Sequence, residues 1–138
     1  MKKNKTVWIV IVCIVVVCLA LFARWKSAYM IDVSQVEKIS FGNSPASEAF
    51  SEEDTAKFVL LFNLARYKGK DIGYGTTPEL EMSVYFHDGR CLSVSEYGDH
   101  NFFVVYRVDG KSQSSQGYFI ESKMLDDFVW KLAAEMAE

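Results

Sequence analysis

The chain predicts an α+β fold: one apolar N-terminal helix, then an antiparallel sheet of about five strands, in the order β-α-β-β-β-β-α, packed with two helices. Three observations carry this. Residues 7–23 are an unbroken apolar run, with Lys2, Lys3 and Lys5 before it and Arg24, Trp25 and Lys26 after it. From Leu80 onward the apolar side chains recur every second residue, the period of a half-buried strand. Ser51 and Ser122 each open a stretch in which apolar residues recur at helical spacing.

Seventeen apolar residues at about 1.5 Å of rise cover roughly 26 Å, close to the ~30 Å hydrocarbon core of a bilayer. Thr6 and the snorkelling stem of Arg24 make up the difference. Trp8 and Trp25 stand near the two ends, where indole rings favour the interface, and Arg24 and Lys26 supply cations there. The organisation expected is a basic segment (1–6), a transmembrane helix (7–25), a tether (26–32) and a domain (33–138). A cleavable signal shares the basic start and the apolar run. Its cleavage site is poor here: cutting after Ala23 sets Leu21 where a small residue belongs, and cutting after Ala20 leaves Leu21-Phe22 at the new end. Cys13 and Cys18 each follow a valine, not the small residue of a lipoprotein signal. Three lysines and the free amino terminus outnumber Arg24 and Lys26, so the N-terminus is expected in the cytoplasm and the domain outside it.

Five of the fifteen basic residues lie in the first twenty-six, and all eighteen acidic residues lie beyond residue 31. The domain therefore carries a net charge of about −8, which repels nucleic acid and anionic headgroups. With Cys13 and Cys18 in the apolar run, Cys91 is alone in the domain, so no internal disulfide is expected to staple it. No Cys/His cluster has zinc spacing, no aspartate opens a calcium-loop pattern, and no cofactor is implied.

Within the domain, residues 33–41 read as a short strand, broken by Gly42-Asn43-Ser44-Pro45. Ser51 followed by Glu52, Glu53 and Asp54 is a hydroxyl cap with acids at the positive end of a helix. That helix is expected to run to about Lys68, with Gly69 as a left-handed cap. Its apolar residues occupy more than one face, which predicts deep packing with Lys57, Asn63 and Arg66 at the edges. Residues 69–79 form a glycine-containing loop that lacks the spacing and the lysine of a phosphate loop. Leu80, Met82, Val84 and Phe86 then alternate with Glu81, Ser83, Tyr85 and His87. A three-residue loop with left-handed Gly89 pairs Val84 with Leu92 and Met82 with Val94, keeping apolar side chains on one face. A two-residue Asp88-Gly89 turn would mix the faces. The chosen register sets Cys91 beside Tyr85, on the face of Ser83, Ser93 and Ser95. A turn at residues 97–100 leads into residues 102–108, a nearly continuous apolar strand expected at the sheet centre. Asp109-Gly110 starts another turn, residues 112–116 are polar, and residues 117–120 return as the last strand. In the final helix Leu125, Phe128, Val129, Leu132 and Met136 follow the helical period.

The basic start and anchor, the ISF strand, the helix ending RYKG, TPELEMSVYFHDGRCLSV, NFFVVYRVDG and GYFIESKMLDDFVWKL follow one another along the chain. In that order the chain resembles the small anchored extracytoplasmic proteins of unknown function found in Gram-positive bacteria. The resemblance implies an envelope location and an α+β fold. It carries no catalytic motif, activity or site.

Cys91 with His87 or His100 is the candidate for chemistry, since a thiol beside an imidazole ionises and attacks carbonyls. The competing account is a solvated histidine in a turn and a small filler cysteine. Tyr85, Cys91 and Ser93 mark a candidate binding face. Tyr85, Tyr97, Tyr106 and Tyr118, with Trp130, are candidates for a recognition surface, against the plainer account in which some lie in the core and the others are singly exposed. The acids at 52–54 and at 126–127 read as helix-start charges. The expectation is a noncatalytic, membrane-anchored binding or accessory module outside the cytoplasm, serving an envelope protein or ligand and not nucleic acid. The alternatives are a thiol-dependent enzyme and a secreted domain released by cleavage.

Overall fold

The computed structural model describes residues 2–44, 46–70, 77–108, 111–112 and 117–138. The chain divides into two units, Met1–Met30 and Ile31–Glu138.

In the first unit the apolar run lies within one helix, α1 (Lys2–Ser27). Its 26 residues extend for about 39 Å. The side chains of residues 3–25 are all exposed, valines, isoleucines and leucines included. This is a helix long and apolar enough to cross a membrane, and a signal sequence satisfies the same test. At its end the rings of Phe22, Trp25 and Tyr29 follow one another at 6.0 and 5.4 Å.

The second unit holds β1 (Val36–Phe41), α2 (Glu52–Leu64), β2 (Arg66–Gly69), β3 (Leu80–Phe86), β4 (Cys91–Glu96), β5 (Asn101–Val108), β6 (Lys111–Ser112), β7 (Tyr118–Glu121) and α3 (Lys123–Met136). All pairings are antiparallel, in the order β1-β3-β4-β5-β7-β2, with β6 on the far part of β5. The class is the predicted α+β, with six strands along the main path where the sequence pattern predicts about five.

The first strand begins later than residue 33, because Val33–Gln35 forms a single 3-10 turn capped by Asp32. The β3–β4 hairpin has the predicted register: Val84 faces Leu92, Met82 faces Val94, and Tyr85 faces Cys91. Its three-residue loop closes with Gly89 at φ +88°, a left-handed conformation that side chains resist. β5, expected at the centre, shares the middle of the sheet with β4.

The end of α2 departs from the sequence expectation. The helix stops at Leu64, Ala65 turns extended, and Arg66–Gly69 leaves as the edge strand β2 against β7. Lys68-Gly69 resembles a helix terminus, and Gly69 does have φ +118°, but it serves an irregular step in strand pairing. Nor is α2 buried on all sides. Phe58, Val59, Leu61 and Phe62 are buried, while Leu60 and Leu64 are 58% and 63% exposed. Both caps are as predicted: Ser51 Oγ accepts from the Asp54 N–H at 3.1 Å, and Ser122 Oγ from the Leu125 N–H at 3.0 Å. The expected turn at Asp109-Gly110 and the central part of the 69–79 loop lie outside the described residues.

Both helices cover one face of the sheet. Ile39, Met82, Val84, Leu92, Val94, Phe102 and Val104 point to that face and are fully buried or nearly so. Phe41, Phe50, Phe58 and Phe62 form a ring-to-ring series from β1 into α2. Leu125, Val129 and Leu132 contribute the inner stripe of α3. Asn63 works differently: its Oδ1 accepts from the Ile31 N–H at 2.7 Å and its Nδ2 donates to the Ile31 carbonyl at 2.9 Å. One side chain thereby holds both main-chain groups of the first residue in this unit.

Candidate functional site

The second face of the sheet, away from the helices, carries Lys38 and Ser40 from β1, Glu81, Ser83 and Tyr85 from β3, Cys91, Ser93 and Ser95 from β4, and Val105 and Arg107 from β5. Strand alternation puts them there. Pairing of β3 with β4 and of β4 with β5 then sets Tyr85, Cys91 and Arg107 in one row, and Ser83, Ser93 and Val105 in the next. The candidate residues Tyr85, Cys91 and Ser93 are thus brought together, but only Tyr85 and Cys91 are partly accessible: Ser93 is 2% exposed and is buried along with Ser40, Ser83, Ser95 and Val105.

An ion pair organises this face. The Arg107 guanidinium donates to Glu81 Oε1 and, at 3.2 Å, to Ser93 Oγ, while Ser93 Oγ donates to the same Glu81 oxygen at 3.2 Å. Asn43 Nδ2 donates to Glu81 Oε2 at 3.2 Å, so both carboxylate oxygens are engaged. The side chains of Arg107 and Glu81 are 14% and 25% exposed, enough burial to strengthen their attraction above that of a surface pair. Ser83 Oγ donates to the Gly42 carbonyl at 2.6 Å, and the Lys38 ammonium lies 5.3 Å from the centre of the Tyr85 ring. Farther along the face the rings of Phe103, Phe119 and Tyr97 gather, with Phe103 and Phe119 at 4.9 Å. Burial and the Glu81 charge push the Tyr97 hydroxyl above its usual pKa.

The Cys91 thiol is half-buried, and burial pushes its pKa up; the Arg107 charge and the Ser83 hydroxyl pull the other way with less effect. A thiol held in this manner stays protonated at neutral pH, the opposite of an activated nucleophile. Neither histidine is among the groups acting on it. His87 is exposed in the hairpin loop, its main-chain N–H donating to the Gln35 carbonyl. His100 lies past the far end of β4, and the strand alone separates it from Cys91 by about 16 Å. The five aromatic residues do not form one patch either. Tyr118 is buried against Tyr67, Tyr97 packs on Phe119, Tyr106 lies near Phe86 on the helix side, and Trp130 is exposed on α3.

No protein-family model, curated protein or solved structure matches the chain. Among the described residues no group of three His, Cys, Asp or Glu side chains is placed to hold a metal ion.

A second polar cluster lies on the helix side, around Glu96. This residue occupies the inward position after Leu92 and Val94 and is 1% exposed. Its Oε1 accepts from the Gly98 N–H, while its Oε2 has no donor. Asp126 stands in the first turn of α3, as expected of a helix-start charge, and it also binds His100 Nδ1 through Oδ2 at 2.6 Å and leaves Oδ1 without a donor. Burial holds the Glu96 carboxyl above its usual pKa, and the charges of Asp126 and Glu79 add to this against the opposing pull of the Gly98 N–H and His100. The alternation that assigns Leu92 and Val94 inward contains the signal for Glu96 too, as the next residue on that face.

Proposed function

We propose that the chain is a membrane-tethered, noncatalytic binding or accessory module displayed outside the cytoplasm. The observation that carries the reading is the partly exposed row of Tyr85, Cys91 and Arg107 on the helix-free face, fixed by the Glu81–Arg107 pair above the buried Ser93. Aromatic and arginine side chains held in place lose little conformational freedom on binding. The raised Cys91 pKa argues for recognition over thiol chemistry. Retention on a bilayer by α1 raises the effective concentration of the domain near an envelope protein or ligand. An acidic domain disfavours nucleic acid as that partner.

Three measurements test this. With a tag on the C-terminus, protease added to intact cells or spheroplasts should remove the tag before lysis; protection until lysis would reverse the topology. The mass of the membrane-bound chain should be that of the uncleaved sequence. For the site, a photo-crosslinking residue in place of Tyr85 should give a discrete adduct in intact cells. Arg107→Ala should abolish that adduct and Cys91→Ala should leave it. An adduct insensitive to Arg107→Ala would remove this face from the proposal, and its loss in Cys91→Ala would favour the thiol enzyme.

A further inference from the structure

The polar cluster around Glu96 has no part in the binding face, and its construction is unusual for a structural core. A carboxylate sits under α3 at a position that the strand pattern reserves for an apolar side chain. One of its oxygens is fully buried without a donor, and so is one oxygen of Asp126, which feels the Glu96 charge from α3. Unmet acceptors of this kind are costly, and two in one cluster call for a proton. A carboxyl protonated on Oε2 no longer sets its charge against that of Asp126.

Around this pair the main chain is tied in a way that depends on the cluster. Asp99 and His100 are consecutive left-handed residues, at φ +52° and +64°. Neither is glycine, so their conformation persists only where surrounding bonds hold it. Within the turn, the Asn101 N–H donates to the Gly98 carbonyl at 3.0 Å, and Asn101 Nδ2 donates to the Gly98 and Asp99 carbonyls at 3.3 and 3.2 Å; toward α3, the Ser122 N–H donates to the His100 carbonyl at 2.9 Å and the His100 ring bonds Asp126. The turn after β4 is thus fastened to the start of α3 at two points, with Glu96 beneath and bonded to Gly98.

We infer that Glu96, His100 and Asp126 form an acid-closed latch between the β4–β5 turn and the first turn of α3. In the closed state a proton from solvent resides on Glu96, and the His100–Asp126 pair keeps the left-handed turn against the helix. When Glu96 ionises, two buried carboxylates face one imidazole, and the turn loosens from α3. The groups acting on the cluster are Glu79 ahead of β3, Glu121 at the end of β7, and Lys123 on α3. Glu79 adds to the repulsion of an ionised Glu96, whereas Lys123 is already paired with Asp127 at 2.7 Å. Glu121 is likewise occupied, by Lys68 at 2.9 Å, so neither pair compensates the buried charge. The direction follows from burial: acidification tightens the latch and alkalinisation opens it.

The test is amide hydrogen exchange on the full chain in detergent micelles, from about pH 4, below the ordinary carboxyl value, to about pH 8, with times scaled for the intrinsic pH dependence of exchange. Protection at residues 97–101 and 122–126, relative to β3, should fall several-fold as pH rises. Glu96→Gln retains an acceptor for the Gly98 N–H and should lose the part of this fall that Glu96 causes, so its protection should change less with pH than that of the native chain. Protection in the native chain that does not change with pH, or an unchanged pH dependence in Glu96→Gln, overturns the latch. If that variant does not fold, the carboxyl carbon of Glu96 in the native chain decides by NMR titration. An inflection above the ordinary value of 4.5 supports the latch, and one at or below that value overturns it.

Discussion

Glu96 shows how one residue makes stability depend on pH. Its folded pKa lies above the unfolded value of 4.5, so the folded state binds its proton more tightly than the unfolded chain does. Its ionisation therefore destabilises the domain fully above the folded pKa, and that loss vanishes as pH falls toward 4.5. Glu96→Gln should raise Tm at neutral pH, and the gain should shrink as pH falls; a gain that grows on acidification would refute the burial argument. Cys91 makes an independent prediction. With its thiol held up by burial, alkylation by iodoacetamide at neutral pH should be slower than that of a free cysteine, and faster alkylation would revive a nucleophilic role. Gly117 is constrained by space, because a Cβ there would clash with the Cζ–Cε2 edge of the Phe103 ring. Gly117→Ala should cost about 1–3 kcal/mol in denaturant unfolding, as overpacking does, and an unchanged midpoint would mean that the ring swings away freely.

Elements that repeat a simple period are legible in the sequence, and those that depend on distant neighbours are not. The β3–β4 register follows from alternation and from the one loop that keeps Met82 and Val84 opposite Val94 and Leu92. Both helix caps follow from local hydrogen-bond chemistry, and Ser51→Ala should remove about 1 kcal/mol of stability, measured by thermal unfolding. β2 is hidden because four edge residues, Arg66–Gly69, carry too little pattern to compete with a helical signal that continues into Lys68-Gly69. The candidate face is half legible for the same reason. Tyr85, Cys91 and Ser93 share a face by alternation within one hairpin. The Glu81–Arg107 pair spans from β3 to β5 across β4, so it requires the strand order. Likewise the His100–Asp126 bond joins residues twenty-six apart, which no local rule brings together.

On the scale of the whole molecule, the unit Ile31–Glu138 contains its own sheet, its own buried side chains and both capped helices. A fragment of residues 31–138 should therefore unfold in a single cooperative transition without α1. In cell fractionation that fragment should leave the membrane under alkaline carbonate, while the full chain stays. Release of the full chain would count against α1 as an anchor. The division of charge has the same two-part form, since the acids all lie past residue 31 and the first unit has only bases.

The hold of Asn63 on Ile31 acquires a mechanical meaning when the N-terminal end is fixed in place. Any tug on the folded unit through its N-terminal chain arrives first at Ile31, where two hydrogen bonds from a single side chain share the load. Force is thereby passed to α2, a helix seated on the sheet, before it reaches β1, an edge strand that could be peeled away one rung at a time. Asn63 thus acts as strain relief, as a cable clamp does where a cord enters its housing.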